Sequence, residues 1–344
     1  MNPIAIYSGS IVIYWSGLII VLGIAAGFLL SYSLYSAYYC RRSSMWAFLL
    51  FSLVFSILLS RALHYYCHAE QYVGFLDAIS NYASGGFCLP GVFFGVWLSA
   101  FLVQKVGLSD SFWRLLDASA PGMALTLSVI RLSSLFNSSC RGKMVISNPR
   151  LQRLPLATTV VDSAGNTEYR FATFFIESIL LLIIMAFMVG FFYSRHRAPM
   201  KKPEKKEGHI FRIFLLLFSM VDLVCASTRY DAATVHFKSA LLQFLNKFAS
   251  FIKIDMIFAA VCILCLLIHY TKMSVRANGF KGWHVILLAV YVLSLFTVGY
   301  LGEYKVQRYT SEYLQRYILM SIGSIGMAVS VGIMYNTCVK FKKK

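Results

Sequence analysis

The chain has 344 residues, of which 58% are hydrophobic and only 13% are charged. A soluble domain of this length covers its surface with polar groups, so this composition excludes a soluble domain. It predicts instead an all-α, polytopic helical membrane protein. The net charge of +18 would suggest a nucleic-acid partner in a soluble protein. In a membrane protein Lys and Arg accumulate in cytoplasmic loops instead, so we expect no nucleic-acid partner.

Nine apolar runs of the sequence are long enough to cross a bilayer as helices. About 20 residues suffice for one crossing, so a tilt or a kink would absorb the extra length of the first run. The predicted spans are residues 10–38, 45–66, 86–104, 115–136, 171–193, 210–228, 249–270, 283–301 and 316–338.

The loops between these spans differ in charge, which predicts the orientation. Residues 195–212 and the C-terminal KFKKK belong to the set that is richer in Lys and Arg, and this set is expected to be cytoplasmic. The N-terminus is then outside and the C-terminus inside. The opening residues, MNPIAIYSGS, lack the basic region of a cleavable signal peptide, so the first span should be retained.

Two segments on the predicted outer side are long enough to have structure of their own. Residues 137–170 contain ATTVV followed by the turn-like DSAGN, which predicts a short strand or hairpin. Residues 231–250 place leucines at helical spacing beside polar residues, which predicts a helix in the plane of the interface.

The motifs predict neither a metal nor a cofactor. The chain contains neither GxxxxGKS/T nor GxGxxG, the motifs that hold phosphates and nucleotides. Cys262 and Cys265 lie within an apolar span, where cysteine usually packs, and His64 and His68 lack a third metal ligand nearby in sequence. The GVFFG motif, Gly91–Gly95, is typical of close helix packing.

Ionisable residues inside spans are the functional candidates. An arginine at bilayer depth costs at least ~2.5–3.5 kcal/mol, so it usually faces water, a partner or an anionic ligand. The stretch 117–142 is predicted to be a membrane helix that carries Arg131, with a structural Arg131–Asp222 ion pair as the alternative to a functional role. The ionisable residues predicted within spans are Arg61, Asp117, Arg131, Glu177, Asp222, Arg229, Lys253 and Asp255. Four of them, Asp117, Arg229, Lys253 and Asp255, lie near predicted helix ends, where orientation or capping is an equally good interpretation.

Several motifs follow one another in the order found in a single family. Ile13–Leu18 reads IYWSGL, where that family has IRWYGL, and Asp117, Pro121 and Arg131 reproduce its D-x3-P-x9-R spacing. The other matches are GGFCLPGVFFG at Gly85–Gly95, Gly142 at the last glycine of GRIGNFINGE-x-x-G, Glu177 within FATFFIES, and Arg229 at the end of FSMVDLVCASTR. On these residues the chain resembles the bacterial phosphatidylglycerol–prolipoprotein diacylglyceryl transferase family across residues 11–270.

This resemblance implies a fold, a reaction and partners. The family has seven spans in the bacterial plasma membrane, so residues 1–270 would form a transferase-like core and residues 271–344 would add two further helices with a basic tail. Its enzymes move a diacylglyceryl group from phosphatidylglycerol to the thiol of a lipobox cysteine during lipoprotein maturation. The implied partners are an anionic phospholipid and the signal peptide of a prolipoprotein.

The resemblance also implies the site residues. Arg131, Arg229 and Glu177 are the expected catalytic residues, since cations would hold the phosphate that leaves. The residues expected to bind the phospholipid are Arg131, Arg229, Gly91, Ser134 and Gly142.

The chain departs from the family pattern at several of these motifs. Pro90 replaces a histidine, Asp222 replaces an arginine, and Ser134 and Ser139 replace an asparagine and a glutamate. A reversed charge weakens anion binding, and proline cannot act as a base. Two alternatives to an active transferase therefore follow. One is a non-catalytic relative that binds anionic lipid or a lipoprotein signal peptide, and the other is a small membrane transporter or assembly factor.

Overall fold

The computed structural model describes residues 4–8, 11–39, 42–67, 72–80, 86–109, 111–137, 140–153, 156–161, 167–197, 207–230, 253–308 and 313–340. Helices dominate, because within a bilayer a helix satisfies every backbone polar group internally. The helices are α1 Trp15–Tyr38, α2 Arg42–Cys67, α3 Phe75–Ser80, α4 Leu89–Lys105, α5 Phe112–Leu132, α6 Pro149–Gln152, α7 Thr173–Arg197, α8 His209–Thr228, α9 Ile254–Asn278, α10 Gly282–Phe296, α11 Lys305–Arg308 and α12 Tyr313–Lys340.

The predicted spans are confirmed as helices. Among the described residues, eight helical segments are long and apolar enough to cross a membrane, and α4 is a shorter apolar helix. One helix occupies each predicted span, and a π-helix, Thr297–Tyr304, extends α10. The all-α polytopic fold predicted from composition is therefore correct. The interfacial helix predicted at 231–250 lies outside the described residues.

Two antiparallel hairpins accompany the helices. Strands β1, Ile4–Ser8, and β2, Ile11–Tyr14, pair before α1, so the prediction that the first span begins at residue 10 is wrong by five residues. The β-branched run in β2 favours a strand over a helix. Strands β3, Ala157–Val161, and β4, Thr167–Phe171, form the hairpin predicted from ATTVV.

The chain forms two compact units, Met1–Phe214 and Leu215–Lys344, which divide within α8. In the first unit, glycines allow helix pairs to approach closely. A Cβ on Gly91 would lie 2.4 Å from the Cα of Ser60, and a Cβ on Gly122 would lie 2.3 Å from the carbonyl oxygen of Gly27. These positions join α4 to α2 and α5 to α1, which makes α5 a central helix of the first unit.

In the second unit the C-terminal helices share one apolar core with the helices before them. Leu223 of α8, Ile263 of α9, Tyr291 of α10 and Met327 of α12 belong to the same buried cluster. Tyr291 also donates a hydrogen bond to the carbonyl oxygen of Ala260 at 2.7 Å. Residues on both sides of position 270 therefore pack together, and the predicted division of the chain at that position stays a prediction.

Candidate functional site

Arg131 lies in the last turn of α5, which ends at Leu132. A 3-10 turn, Ser133–Leu135, follows, and the Ser133 hydroxyl donates to the carbonyl oxygen of Ile130 at 2.7 Å. Helical structure ends at Leu135, within one residue of the predicted end of this span at 136, because serine side chains compete for the backbone bonds that would continue the helix to residue 142. Ser134 is buried within this turn.

Glu177 of α7 holds Arg131 in place. The Nε atom of Arg131 donates to Oε1 of Glu177 at 2.7 Å, and the two side chains are 14% and 1% exposed. Close by along both helices, the Ser128 hydroxyl donates to the carbonyl oxygen of Ser178 at 2.8 Å. A charge pair withdrawn from water needs good geometry and further hydrogen bonds to persist. Together these contacts join α5 to α7 and fix the direction of the guanidinium group.

Cys140 completes the surroundings of Arg131. Its backbone φ of 56° is in the left-handed region, which is uncommon for a residue with a side chain. The Cys140 sulfur accepts a hydrogen bond from Nη1 of Arg131 at 3.3 Å. Cys140 also packs with Ala172 and Phe174 in a small buried cluster at the start of α7. The segment after α5 is thus folded back onto the helix that carries Glu177.

The β3–β4 hairpin anchors this returning segment. The amide of Gly142 donates to the carbonyl oxygen of Phe171 at 2.8 Å, and the amide of Ile146 donates to that of Tyr169 at 2.7 Å. A Cβ on Gly142 would lie 2.7 Å from the same Phe171 oxygen, so only glycine fits here without a shift. Since Phe171 lies two residues before α7, the hairpin sets where α7 begins relative to Arg131.

Arg141 brings a second cation to this loop. Its guanidinium donates to the carbonyl oxygens of Thr159 and, at 3.2 Å, Asn137. Burial lowers the pKa of Arg141 from its usual value, although a guanidinium stays protonated at neutral pH. Arg131 is held by a buried glutamate and Arg141 lies in the loop that follows, so two guanidinium groups near this end of α5 suit it to an anion. Among the described residues, no group of three His, Cys, Asp or Glu is arranged to hold a metal ion.

Arg229 belongs to a charged cluster within the second unit. Its Nη2 atom donates to Oδ2 of Asp255 at 2.5 Å, and its carbonyl oxygen accepts a bond from Nζ of Lys253 at 3.1 Å. Lys253 in turn lies 3.9 Å from Oε1 of Glu303 in the π-helix. Arg229, Lys253 and Glu303 are all buried. The cluster joins the end of α8, the start of α9 and the segment after α10.

The other predicted residues lie where packing or capping explains them. Gly91 faces Ser60 at the α2–α4 crossing, and Pro90 is in the first turn of α4. The carboxylate of Asp117 accepts the amides of Gly208 (2.7 Å) and Phe211 (2.8 Å), so it caps the N-terminus of α8. Capping was one of the two interpretations offered for Asp117.

Arg131 and Asp222 belong to different compact units. Asp222 is fully buried on α8, and Arg131 pairs with Glu177 within the first unit. The Arg131–Asp222 ion pair proposed from the sequence therefore stays a prediction.

Sequence reasoning missed Cys140, Arg141 and Glu303. Glu303 follows the predicted end of a span by two residues, so it was not counted among the intramembrane charges, although it lies within the π-helix Thr297–Tyr304. A glutamate that closely follows an uninterrupted apolar run was the available signal. Cys140 and Arg141 carried no such signal, because their roles depend on the hairpin.

The sequence of this chain matches a known protein family and several of its members. The family model described as prolipoprotein diacylglyceryl transferase matches residues 3–270. A protein from Clostridium botulinum (strain 657 / Type Ba4) is 30% identical over 238 residues, which are 67% of this chain and 88% of that relative. A protein from Bacillus licheniformis is 26% identical over 234 residues, 67% of this chain and 82% of the relative.

A third relative, from Acaryochloris marina, is 26% identical over 228 residues, which are 65% of this chain and 78% of that protein. All three relatives are named phosphatidylglycerol–prolipoprotein diacylglyceryl transferase. The matched region contains Arg131, Glu177 and Arg229. On this match and its apolar helices, the chain belongs to the prolipoprotein diacylglyceryl transferase family and is a multi-pass bacterial membrane protein.

Proposed function

We propose that this chain transfers a diacylglyceryl group from phosphatidylglycerol to the thiol of a lipobox cysteine in a prolipoprotein. The observation that carries the proposal is the pairing of Arg131 with the buried Glu177, which lies in the region matched by the family model. The relatives' names supply the two substrates. The proposal extends those substrates to this chain.

The reaction requires an anion site and a nucleophile. The acceptor sulfur forms a bond to the terminal glyceryl carbon of the diacylglyceryl group, and the bond from that carbon to the phosphate oxygen breaks. Glycerol phosphate leaves with the electron pair, and the thiol proton passes to a base. Charge develops on the phosphate as it leaves, so preorganised cations stabilise the transition state.

Arg131 is assigned to the phosphate. Guanidinium groups bind phosphate through paired N–H donors, and a fixed guanidinium does so with less loss of entropy than a mobile one. Glu177 is assigned to positioning, because it engages Nε of Arg131. Arg229 is kept as a further cation for an anionic headgroup, supported by its burial and its bond to Asp255.

The contacts with phospholipid expected of Gly91, Ser134 and Gly142 are also part of the proposal, but the glycines and the serine have different roles. Gly91 and Gly142 already have packing reasons to be glycine. We therefore assign them to support of the site. Ser134, buried three residues after Arg131, is the one of the three whose side chain has a hydrogen-bond donor to offer a headgroup.

The predicted orientation is also part of the proposal. An outside N-terminus places the loop 137–170 on the outer side of the membrane, together with the end of α5 that carries Arg131. The excess of Lys and Arg in the opposite set of loops supports this orientation.

A second candidate function follows from Pro90. Proline stands where the family motif has a histidine, and it has no group that can accept the thiol proton. A free cysteine titrates near a pKa of about 8.5, so the acceptor gains from a base at neutral pH. A relative that binds phosphatidylglycerol or the prolipoprotein without turnover is therefore the alternative.

The test is a transfer assay with purified protein, phosphatidylglycerol in detergent and a lipobox peptide. We expect turnover by the wild type and a loss of about 100-fold in kcat/KM for Arg131→Lys, because lysine keeps the charge but not the paired donors. Arg150→Ala is the matched control, since Arg150 is an exposed arginine of the same loop region. It should retain wild-type kinetics.

Lipid retained through purification separates the two candidate functions. A wild type that retains phosphatidylglycerol, loses it in Arg131→Lys and shows no turnover would replace transfer by binding. A wild type with neither turnover nor retained lipid would contradict both functions.

A further inference from the structure

Glu303, which lies outside the region matched by the family model, belongs to the charged cluster around Arg229. The family model ends at residue 270, yet Oε1 of Glu303 lies 3.9 Å from Nζ of Lys253. The same ammonium donates to the carbonyl oxygen of Arg229 at 3.1 Å. A continuous chain of contacts therefore runs from the C-terminal helices to the backbone of Arg229.

This chain of contacts is buried at every step. Glu303 is 0% exposed, Lys253 is 2% exposed and Arg229 is 3% exposed. Removing charges from water is costly, and apolar side chains of similar size are often at least as stabilising as a buried ion pair. An apolar pair would therefore replace the Lys253–Glu303 contact itself without loss, and only the bond from Lys253 to the carbonyl oxygen of Arg229 would be missing. Ionisable residues kept at membrane depth are accordingly candidates for function.

The backbone that carries Glu303 is unusual as well. The residues Thr297–Tyr304 form a π-helix, a rare geometry that is frequent at functional sites. Gly302 allows this segment to approach α12, since a Cβ there would lie 2.0 Å from Cγ of Met320. The close approach and the π-helical turns together hold Glu303 against Lys253.

The contacts of Arg229 show which of its groups the cluster holds in place. Asp255 holds the guanidinium end of Arg229 through Nη2, and Lys253 holds its carbonyl oxygen. Arg229 directly follows the last residue of α8, where helix carbonyl groups lack intrahelical partners. The ammonium of Lys253 satisfies one such carbonyl, and Glu303 balances the charge of that ammonium.

We propose that Glu303 is a positioning residue for Arg229, acting through Lys253, so that the C-terminal helices form part of the phospholipid-binding machinery. This inference rests on the proposed function, in which Arg229 contacts the anionic headgroup. Glu303 itself touches no substrate. Loss of Glu303 weakens the binding of phosphatidylglycerol in the ground state and in the transition state by the same amount. KM for phosphatidylglycerol therefore rises and kcat stays unchanged.

The test compares a neutral pair with the natural one. Lys253→Met/Glu303→Leu removes both charges and retains side-chain volume, but it leaves the carbonyl oxygen of Arg229 without its donor, so the variant should fold and unfold at a modestly lower temperature than the wild type. We expect its KM for phosphatidylglycerol to rise about tenfold, with kcat within about twofold of the wild type. Ser330→Ala is the control, because it removes a buried hydroxyl bond within α12. It should change neither constant.

Each outcome decides the inference. A folded double variant with an unchanged KM shows that the cluster is purely structural and overturns the proposal. Should the double variant fail to fold, KM for phosphatidylglycerol is measured with the isosteric Glu303→Gln variant instead. An unchanged KM in that variant overturns the proposal. A wild type without turnover overturns the proposed function and this inference with it, whereas an active wild type with an unaffected variant overturns the inference alone.

Discussion

Arg131 and Glu177 meet at 2.7 Å across α5 and α7, and this contact ties the candidate anion site to the packing of two membrane helices. Removing one partner leaves the other buried and uncompensated. We expect Arg131→Met to lower the free energy of unfolding by about 3–5 kcal/mol, and Arg131→Met/Glu177→Leu to restore most of that loss. Unfolding in detergent, followed by circular dichroism, measures both values.

The restored double variant should nevertheless have no transfer activity, because its phosphate contact is gone. Glu168→Gln is the control, since it breaks the more exposed Arg170–Glu168 pair (3.0 Å) of the hairpin and should cost less than about 1 kcal/mol. A double variant that is stable and fully active would exclude Arg131 from the chemistry.

Asp117 joins α5 to the start of α8 through two backbone amides. Asp117→Ala leaves two buried donors without their acceptor, so we expect a loss of about 2–4 kcal/mol in the free energy of unfolding. Asp117→Asn retains one acceptor oxygen and should lose about half as much. Asp77→Asn, which alters one exposed hydrogen bond of 3.3 Å to Val73, should be nearly neutral. Equal effects at the two aspartates would contradict the capping role.

Gly91 allows α4 to lie directly against α2. A methyl group there would overlap the backbone of Ser60, so Gly91→Ala should destabilise the protein by about 1–3 kcal/mol. In contrast, a Cβ on Gly190 of α7 meets no described atom within 4 Å. Gly190→Ala should therefore be neutral or stabilise by up to about 1 kcal/mol. Thermal unfolding of the two variants side by side checks the difference.

Tyr291 links the C-terminal helices to the family-matched region by its hydroxyl bond to Ala260. Tyr291→Phe retains the ring and removes that bond, and we expect a loss of about 1 kcal/mol. Tyr300→Phe is the matched control, because Tyr300 is exposed and stacks on Phe296. Unfolding curves that do not distinguish these variants would mean that α10 and α9 are not held together through this contact.

Much of the fold was accessible from the sequence because membrane helices are encoded locally. A run of about 20 apolar residues predicts a span wherever it occurs, and all nine predicted spans contain a helix. The β3–β4 hairpin was likewise predicted from a β-branched run and a turn. The main error fell at residues 11–14, where strand pairing competes with the helix.

The partners of the charged residues could not be read from the sequence. Nε of Arg131 donates to Glu177, which is 46 residues away in the chain, and the predicted Arg131–Asp222 pair stays a prediction. The contribution of Glu303 to the Arg229 cluster was not predicted at all. Both pairs depend on which helix faces meet, and for Glu303 that includes the close approach of Gly302 to Met320.

The sequence by itself therefore determined a helical membrane protein of this family and marked Arg131 as its costly charge, because hydrophobicity and motif spacing are properties of neighbouring residues. Only the tertiary structure decided the partners of this and the other buried charges. An ion pair forms between side chains that helix packing brings within about 4 Å, and the positions of Glu177, Asp255 and Glu303 in the chain do not reveal that distance.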